Sequence, residues 1–499
     1  MINVKSLLAK PFASFVYRQI QKDQKNAIKD QQDILNQLIK IGASTLFGKE
    51  HHFDSITNYQ SFQKAVPLRD YEQFIPYIDQ IKKGTQNVLW KGRPIYFAKT
   101  SGTTSGVKYI PITKESISNH INGARNALLA YMSITGNTQF AGKKMIFLSG
   151  SPTLERVGGI PTGRLSGIVN HHIPQYLTSN QLPSFATNCI EAWEQKLDKI
   201  VEETIGRDLS LIGGIPPWVQ MYFDRLVEKT GKPVIDIFPN LQVLVQGGVN
   251  FEPYKRKLFD TIGKKVDTIE LFPASEGFFA YQDSRTEPGL LLNTNSGIFY
   301  EFIPISNLQE ASPQRISLAE VQIGEQYALV INSNAGLWGY HLGDTIKFVS
   351  KDPYRVVVTG RVKHFISAFG EHVIGEEVEQ ALLDVSLAMG VSVVEFTVAP
   401  FIQQSAGKSY HEWFIEFEQK PADISLFSKK LNEALCKKNT YYQDLIAGNI
   451  LTPLQITVMQ KNAFIDYMRA KGKLGGQNKV PRLSNDRIIA NDLLPYIAS

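Results

Sequence analysis

The chain has 499 residues, of which 43% are hydrophobic and 20% charged, the composition of a soluble globular protein. This length exceeds one ordinary hydrophobic core, so we expect at least two domains. The net charge is +6, and the positive residues are spread along the chain rather than gathered in a block. That pattern argues against a nucleic-acid-binding stripe, so no nucleic-acid partner is expected.

The two cysteines, Cys189 and Cys436, have no nearby His or Cys partners in the sequence. Their placement excludes a disulfide framework and a cysteine-based metal site. No apolar run approaches the roughly 20 residues that a membrane-spanning helix needs. The N-terminus lacks a long apolar core and a small-residue cleavage site, so we expect no signal peptide and a cytoplasmic location.

The first predicted element is an amphipathic helix over residues 24–41. It places Ile28, Leu35, Leu38 and Ile39 on one face, with polar residues around the rest,. We interpret this helix as a cover for a larger domain. A role at a membrane surface is the alternative, although we expect no membrane partner.

From about residue 95, short apolar runs alternate with helical segments. The predicted strands are Lys144–Leu148, Leu211–Ile212, Leu241–Val245 and Thr268–Phe272, and a predicted helix covers Val219–Val227. This alternation indicates an α/β domain with largely parallel sheets. A β-rich part follows at about 296–362, with strands predicted at Gly297–Ile303, Tyr327–Asn332, Thr345–Val349 and Arg355–Thr359.

After Gly360 the pattern changes to that of a small α+β domain. Helices are predicted at Gly375–Asp384, Ser425–Cys436 and Thr457–Ala470, and strands at Val391–Val398 and Trp413–Glu418. We therefore predict a large domain over 1–362, with mixed sheets and helices, and a small C-terminal domain over 363–499.

The strongest local signal is KTSGTTSGVK at 99–108, next to an apolar run that ends at Ala98. Glycines let backbone N–H groups turn toward an anion, and the hydroxyl side chains add further donors. The Gly-Lys-Ser/Thr ending of a Walker A loop is absent. Phosphate binding and a simple polar turn are both compatible with this composition.

Two further signals stand at the ends of predicted strands. Gln246 to Val249 reads QGGV, which suits either the close approach of a ligand or a tight turn,. Glu276 ends LFPASE, where a carboxylate could hold Mg²⁺ between phosphate oxygens,. The alternative is a solvated Glu that opens a helix and favours its positive end.

Three signals lie later in the chain. Asp344 ends WGYHLGD, and an acidic residue after a glycine can accept the hydrogen bonds of a ribose diol, although Gly-Asp turns are also common for structural reasons,. The segment 360–378 contains Arg361, two histidines and several glycines. This composition fits either a hinge between domains or a static linker. Lys479 lies in a Gly-rich loop, GGQNKVPR, where a solvated surface lysine is the alternative.

The order of these signals resembles the adenylate-forming superfamily, which includes acyl-CoA synthetases, luciferases and adenylation domains. Within it, the chain is most similar to the auxin-responsive family of acyl acid amido synthetases. The strings TLFGKEH (45–51), VPLRDY (66–71), NVLWKG (87–92), FYEFIP (299–304) and QNKVPR (477–482) carry this narrower resemblance. The similar segments run from Thr45 to Arg482, which is nearly the whole chain.

The resemblance implies roles for particular residues. The loop residues Thr100, Ser101, Thr103 and Thr104 would bind the phosphates of ATP, and Lys108 is counted with the nucleotide-binding residues. Around the rest of the nucleotide, the resemblance implies that Ala274 and Ser275 lie beside the adenine, Glu276 faces Mg²⁺ and Asp344 holds the ribose. Lys479 would be the mobile lysine that reaches the reacting carboxylate and the α-phosphate, which makes the small domain a mobile one.

The sequence departs from the plant pattern at two places. Gly339 and His341 stand where that pattern commonly has arginines. Glu371 and His372 lie where the pattern has a lysine after the predicted hinge. Arg361, which lies in that hinge, is counted with the nucleotide-binding residues. These departures argue against the plant hormones as substrates and leave the acid open.

The resemblance predicts a ligase that uses ATP and Mg²⁺. A substrate carboxylate would attack the α-phosphorus of ATP, and the amine of an amino acid would then displace AMP from the acyl-AMP. Two alternatives remain: a thioester ligase that uses coenzyme A, and a nucleotide-binding relative without catalysis. A monomer is the expected state, and the carboxylic acid and the amino acid are the expected partners.

Overall fold

The structure is a computed structural model that describes residues 4–101, 107–173, 179–249, 251–308, 310, 312–361, 365–366, 373–401, 409–447, 451–474, 479–484 and 486–498. Its packing forms two compact units. The large unit comprises Met1–Val249, Leu258–Leu342 and Ile346–Val358, and the small unit comprises Asn250–Lys257, Gly343–Thr345 and Thr359–Ser499. Residues 362–364 lie outside the described residues, so the domain boundary at 362 stays a prediction. Among the described helices, none is long and apolar enough to cross a membrane.

Helices form the N-terminal part and alternate with strands afterwards. In chain order up to residue 262 they are α1 (Val4–Lys25), α2 (Ala27–Gly42), α3 (Leu46–Glu50), α4 (Tyr59–Ala65), α5 (Tyr71–Lys82), α6 (Ile117–Thr135), α7 (Leu165–Asn170), α8 (Phe185–Asn188), α9 (Trp193–Thr204), α10 (Pro216–Thr230), α11 (Val234–Ile237) and α12 (Glu252–Ile262). The last of these, α12, has its first residues in the small unit and its last ones in the large unit.

The strands up to residue 361 are β1 (Tyr96–Ser101), β2 (Val107–Ile112), β3 (Lys144–Phe147), β4 (Glu155–Val157), β5 (Ile160–Gly163), β6 (Gln181–Leu182), β7 (Leu209–Gly214), β8 (Val243–Gly247), β9 (Asp267–Ala274), β10 (Gly277–Tyr281), β11 (Leu290–Leu292), β12 (Ile298–Pro304), β13 (Ile316–Ser317), β14 (Gln326–Ser333), β15 (Tyr340–Lys351) and β16 (Tyr354–Arg361).

These strands build a mixed 12-stranded sheet in the order β13-β12-β14-β15-β16-β11-β10-β9-β8-β7-β3-β6. The ladder from β6 through β3, β7 and β8 to β9 is parallel, as the alternating sequence pattern predicts. From β9 onward the pairs β9-β10, β10-β11 and β11-β16 are antiparallel, and they incorporate the β-rich part. A separate four-stranded sheet has the order β2-β1-β5-β4. The predicted α/β fold with mixed sheets is confirmed.

The helix predicted over 24–41 is α2, but its buried face differs from the prediction. Ile28 is exposed and Ile34 is buried, together with Leu35 and Leu38. The buried polar residue Gln31 sets this orientation, because its amide donates to the carbonyls of Thr294 (2.8 Å) and Ile298 (2.9 Å). A polar residue facing the core is invisible to a hydrophobic pattern, which accounts for the error.

The small unit has its own hydrophobic core and sheet. After residue 364 its elements are β17 (Phe365–Ile366), β18 (Val373–Ile374), α13 (Gly375–Met389), β19 (Val393–Phe401), β20 (Tyr410–Phe417), α14 (Ile424–Lys438), α15 (Thr440–Ala447), β21 (Gln455–Val458), α16 (Ala463–Ala470) and α17 (Ile488–Leu493). Its three-stranded sheet has the order β19-β20-β21, and α13 and α14 pack beside it through Leu382 and Leu431.

The helix predicted at Thr457–Ala470 is wrong in its first part. Residues 455–458 form β21, which pairs in parallel with β20 and places Thr457 opposite Phe414. The helix itself begins only at Ala463, after Asn462 in a left-handed conformation. The alternation of Ile456 and Val458 with polar neighbours is the two-residue period of a strand, and the prediction merged it with the helix that follows.

Candidate functional site

The Ser/Thr/Gly-rich segment connects two antiparallel strands of the four-stranded sheet. Thr100 and Ser101 end β1, and they lie opposite Lys108 and Val107 of β2. Thr103 and Thr104 lie outside the described residues, so their placement as phosphate ligands stays a prediction. The structure therefore fixes the two strands that enter and leave this loop.

The base of the loop is held by an aromatic side chain of α5. The Lys108 ammonium lies 5.4 Å from the centre of the Tyr71 ring, and the Tyr109 N–H donates to the Tyr71 hydroxyl at 2.7 Å. Burial raises the pKa of Tyr71 to about 12, so this ring stays neutral beside the lysine at physiological pH. The Lys108 ammonium therefore lies beside a neutral aromatic ring at the foot of the predicted phosphate loop.

Glu276 lies in a two-residue turn between β9 and β10. Ala274 pairs with Gly277 across this hairpin, so Ser275 and Glu276 form its tip. The alternative in which Glu276 opens a helix is therefore wrong, because β10 follows it directly. Ser275 is buried and Glu276 is half-buried.

The backbone that follows the turn is fixed from α6. Asn119, which is buried, accepts a hydrogen bond from the Phe278 N–H at 2.6 Å and donates to the Phe278 carbonyl at 3.2 Å. A Cβ on Gly123, one helical turn further along, would come within 2.2 Å of the Phe278 ring. Close packing and paired hydrogen bonds together hold the hairpin tip against the helix.

Glu276 has a hydrogen-bond partner from the Gly-Asp segment. The hydroxyl of Tyr340 donates to Oε1 of Glu276 at 3.1 Å. Burial, and then the nearby Glu276 carboxylate, raise the pKa of Tyr340 well above its usual value. The hydroxyl therefore keeps its proton and remains a donor. Two motifs that stand 64 residues apart in the sequence meet here in one unit.

The strings that lead into the phosphate loop converge around Trp338. Its indole N–H donates to the Leu89 carbonyl at 3.0 Å, and its ring lies 6.0 Å from that of Phe47 and 4.9 Å from that of Phe53. The Phe47 N–H in turn bonds to the Val88 carbonyl. TLFGKEH and NVLWKG are therefore the packing support of the segment that starts at Trp338.

The QGGV segment ends β8 in the parallel part of the sheet. A Cβ on Gly247 would lie 2.4 Å from the carbonyl oxygen of Leu271 in the neighbouring strand, so the position requires glycine for close approach of backbone. Gln246 is 2% exposed, and its Oε1 has no hydrogen-bond partner within the described part of the chain.

Asp344 is a buried residue of β15 and belongs to the small unit. The hydroxyl of Thr359 donates to the hydroxyl of Thr345, the residue after Asp344, at 2.9 Å. This bond joins β15 to β16 just before the segment that was predicted from the sequence as a hinge. The backbone of Arg361 ends β16. Glu371 and His372 lie outside the described residues.

Lys479 is exposed, and the residues after it are anchored to β19. The Thr397 hydroxyl donates to the Pro481 carbonyl at 2.7 Å, and the Val398 N–H donates to the Arg482 carbonyl at 2.9 Å. Residues 481–484 therefore form a short stem that runs along β19, an edge strand of the small sheet, and is hydrogen-bonded to it.

Arg482 fastens that stem through a buried polar cluster. Its guanidinium contacts the carboxylates of Glu379 (3.1 Å) and Glu395, and donates to the Tyr254 hydroxyl at 2.6 Å. The same hydroxyl donates to Glu395 Oε2 at 3.0 Å. The Cζ atom of Arg482 also lies 4.8 Å from the centre of the Phe396 ring. Sequence reasoning used Arg482 only as part of a string and missed this cluster.

Glu276 is the one protein carboxylate that the sequence assigned to Mg²⁺. Among the residues that the structure describes, no group of three or more His, Cys, Asp or Glu could enclose a metal ion. Mg²⁺ that is shared with a nucleotide needs only one or two carboxylates, because phosphates and water complete its six positions. A half-buried carboxylate at a hairpin tip fits that requirement.

The fold is that of the adenylate-forming ligases. The solved structure of 2-hydroxyisobutyryl-CoA ligase in its postadenylation state superimposes with a TM-score of 0.60 at 12% identity, covering 95% of this chain and 91% of that chain. The GH3.15 acyl acid amido synthetase superimposes with a TM-score of 0.81 at 15% identity, covering 97% and 96%.

The chain belongs to the GH3 family. The family's N-terminal, central and C-terminal domain models match residues 16–189, 291–361 and 376–488. Indole-3-acetic acid-amido synthetase GH3.3 of Arabidopsis thaliana is 21% identical over 541 residues, covering 91% of this chain and 88% of that protein. The family predicted from the sequence is confirmed.

Proposed function

We propose that this protein is an ATP-dependent acyl acid amido synthetase. It activates a carboxylic acid as acyl-AMP, with release of pyrophosphate, and transfers the acyl group to the amine of an amino acid. The observation that carries this proposal is the match of all three family domains in order along the chain, in a family whose matched relative is an amido synthetase. The acid and the amino acid are left unspecified.

The proposed residue roles follow the sequence analysis and rely on position and charge. Thr100, Ser101 and Lys108 frame a loop that would surround the phosphates, and Asp344 would accept the ribose hydroxyls. Glu276 would hold Mg²⁺, which when bound offsets negative charge on the phosphate oxygens. Lys479 would add its ammonium to the reacting carboxylate and α-phosphate, and its loop would move with the small unit.

Purified protein incubated with ATP, Mg²⁺ and single acids from an aryl, indole and aliphatic panel should release pyrophosphate with at least one acid. Adding amino acids should then yield an amide, whereas adding coenzyme A should not yield a thioester. Glu276→Gln is the matched control for pyrophosphate release. It keeps the size of the side chain and removes the charge that would hold Mg²⁺, so this variant should not release pyrophosphate.

Thioester formation without amide formation would replace the proposed reaction by that of an acyl-CoA-type ligase. No pyrophosphate with any acid, despite ATP binding, would support a catalytically inactive relative. The cytoplasmic location, the monomeric state and the absence of nucleic-acid and membrane partners stay predictions from the sequence.

A further inference from the structure

The backbone of Tyr340 is clamped on both sides by Arg69 of the VPLRDY string. The Arg69 N–H donates to the Gly339 carbonyl at 2.8 Å, and the His341 N–H donates to the Arg69 carbonyl at 2.7 Å. Together these bonds form a parallel β-bridge between Arg69 and Tyr340. These two hydrogen bonds clamp the Tyr340 backbone, in the sense that they set its register against the VPLRDY string.

Gly339 makes this clamp possible. It has a φ of +56°, and a Cβ there would lie 2.5 Å from the carbonyl oxygen of Pro67. Any other residue at 339 would push the VPLRDY string away from the start of β15. The departure from the plant pattern at this position is therefore a local structural requirement of this chain.

The side chain of Tyr340 is as constrained as its backbone. It is 1% exposed, and the Phe74 ring of α5 lies edge-on to it with centroids 5.6 Å apart. A buried ring that packs against Phe74 and whose backbone is bridged to Arg69 directs its hydroxyl to one place. That place is Oε1 of Glu276, at the tip of the β9-β10 hairpin.

The strand that follows the hairpin tip is held at Phe278 by Asn119, so the backbone near the acceptor is fixed as well as that of the donor. A carboxylate can accept about four hydrogen bonds or metal contacts through its two oxygens. A hydrogen bond to one oxygen therefore orients the group without exhausting it. Carboxylates that bind metals are commonly oriented by a second group in this way.

We propose that Tyr340 is a positioning residue, whose hydroxyl sets the orientation in which the Glu276 carboxylate takes part in binding Mg²⁺ and nucleotide. This inference rests on the proposed function, in which Glu276 is the metal-binding carboxylate. Arg69 and Phe74 act one step further out by holding Tyr340.

The test is Tyr340→Phe, which removes the hydroxyl and keeps the ring that packs on Phe74. Loss of such an orienting group lowers metal affinity about 10- to 100-fold. Tyr300→Phe is the matched control, because Tyr300 is equally buried and its hydroxyl donates to the Asn293 carbonyl at 3.1 Å, away from Glu276. Both variants lose one buried hydrogen bond, so thermal stability should fall alike.

Binding of Mn²⁺, followed by electron paramagnetic resonance with α,β-methylene-ATP present, is measured without turnover. The expected result is about 10-fold or greater weakening in Tyr340→Phe, no change in Tyr300→Phe, and a parallel rise in the Mg²⁺ concentration that half-saturates pyrophosphate release. Equal Mn²⁺ affinity in wild type and Tyr340→Phe, or no Mn²⁺ binding by wild type, would overturn the inference. Normal Mn²⁺ results without pyrophosphate release by wild type would overturn the proposed function and leave the positioning role standing.

Discussion

Replacing Arg482 with leucine should destabilise the small unit by about 3–5 kcal/mol, the usual effect of removing one partner from a buried ion pair. The side chains of Arg482, Glu379 and Glu395 are only 12%, 14% and 15% exposed. Without the guanidinium, two carboxylates remain close together with little access to water. Burial alone would lower the pKa of Arg482, but Tyr254 and Glu379 raise it above its usual value, so the charge that balances these carboxylates is always present.

Differential scanning calorimetry measures the effect. A free-energy change of 1 kcal/mol shifts Tm by about 2–4 °C in a unit of this size, so Arg482→Leu should lower the transition of the small unit by about 6–20 °C. The matched control is Arg469→Leu, which removes an exposed ion pair with Asp466 and should cost less than about 1 kcal/mol. Adding Glu395→Gln to Arg482→Leu should restore part of the loss. Equal shifts for the Arg482 and Arg469 variants would refute the role of this cluster.

Three further predictions concern the site and its surroundings. Asp344→Ala should raise the KM for ATP by an amount that corresponds to about 1.5–3 kcal/mol, the range for hydrogen bonds to a charged group. An unchanged KM would contradict the ribose assignment. Lys479→Ala should slow pyrophosphate release strongly and spare amide formation from a supplied acyl-AMP, and equal damage to both steps would contradict that division. Burial of His120 in α6 lowers its pKa from 6.5 to about 4. Between these two pH values the unfolded state therefore binds a proton at His120 that the folded state does not bind. Stability should therefore fall between pH 6.5 and 4 by up to about 3 kcal/mol, and urea unfolding of His120→Gln should show a weaker pH dependence than that of wild type.

Local patterns predicted the strands β3, β7–β9, β12, β14–β16, β19 and β20 and the helices α2, α10, α13 and α14, because apolar residues at strand and helix periods report which face is buried,. The same patterns failed where burial is polar or where two periods adjoin. Gln31 faces the core because its side-chain amide hydrogen-bonds to the backbone of β12. The strand β21 was merged with α16 because its alternating pattern extends over only four residues. The N-terminal helix α1 was not predicted at all.

The candidate site was predicted as a set of separate motifs, and their mutual arrangement was not. Glu276 could be named from a strand end and Asp344 from its Gly-Asp pair, although Asp344 lies within β15. The turn at Glu276 depends on pairing between β9 and β10. The Tyr340–Glu276 and Arg69–Tyr340 contacts join distant parts of the chain through the fold. One usable signal was present: a tyrosine two residues after a tryptophan in an apolar stretch needs a partner for its hydroxyl when buried.

The discontinuous make-up of the small unit governs how relatives can be recombined. Residues 251–257 and 343–345 pack with the C-terminal stretch although they precede it in the chain. Tyr254, from the first of these segments, shares its hydroxyl with Arg482 and Glu395. A chimera joined only at residue 359 would combine a tyrosine from one parent with an arginine and two glutamates from the other. Exchange of the small unit between family members therefore requires all three of its segments to be transplanted together.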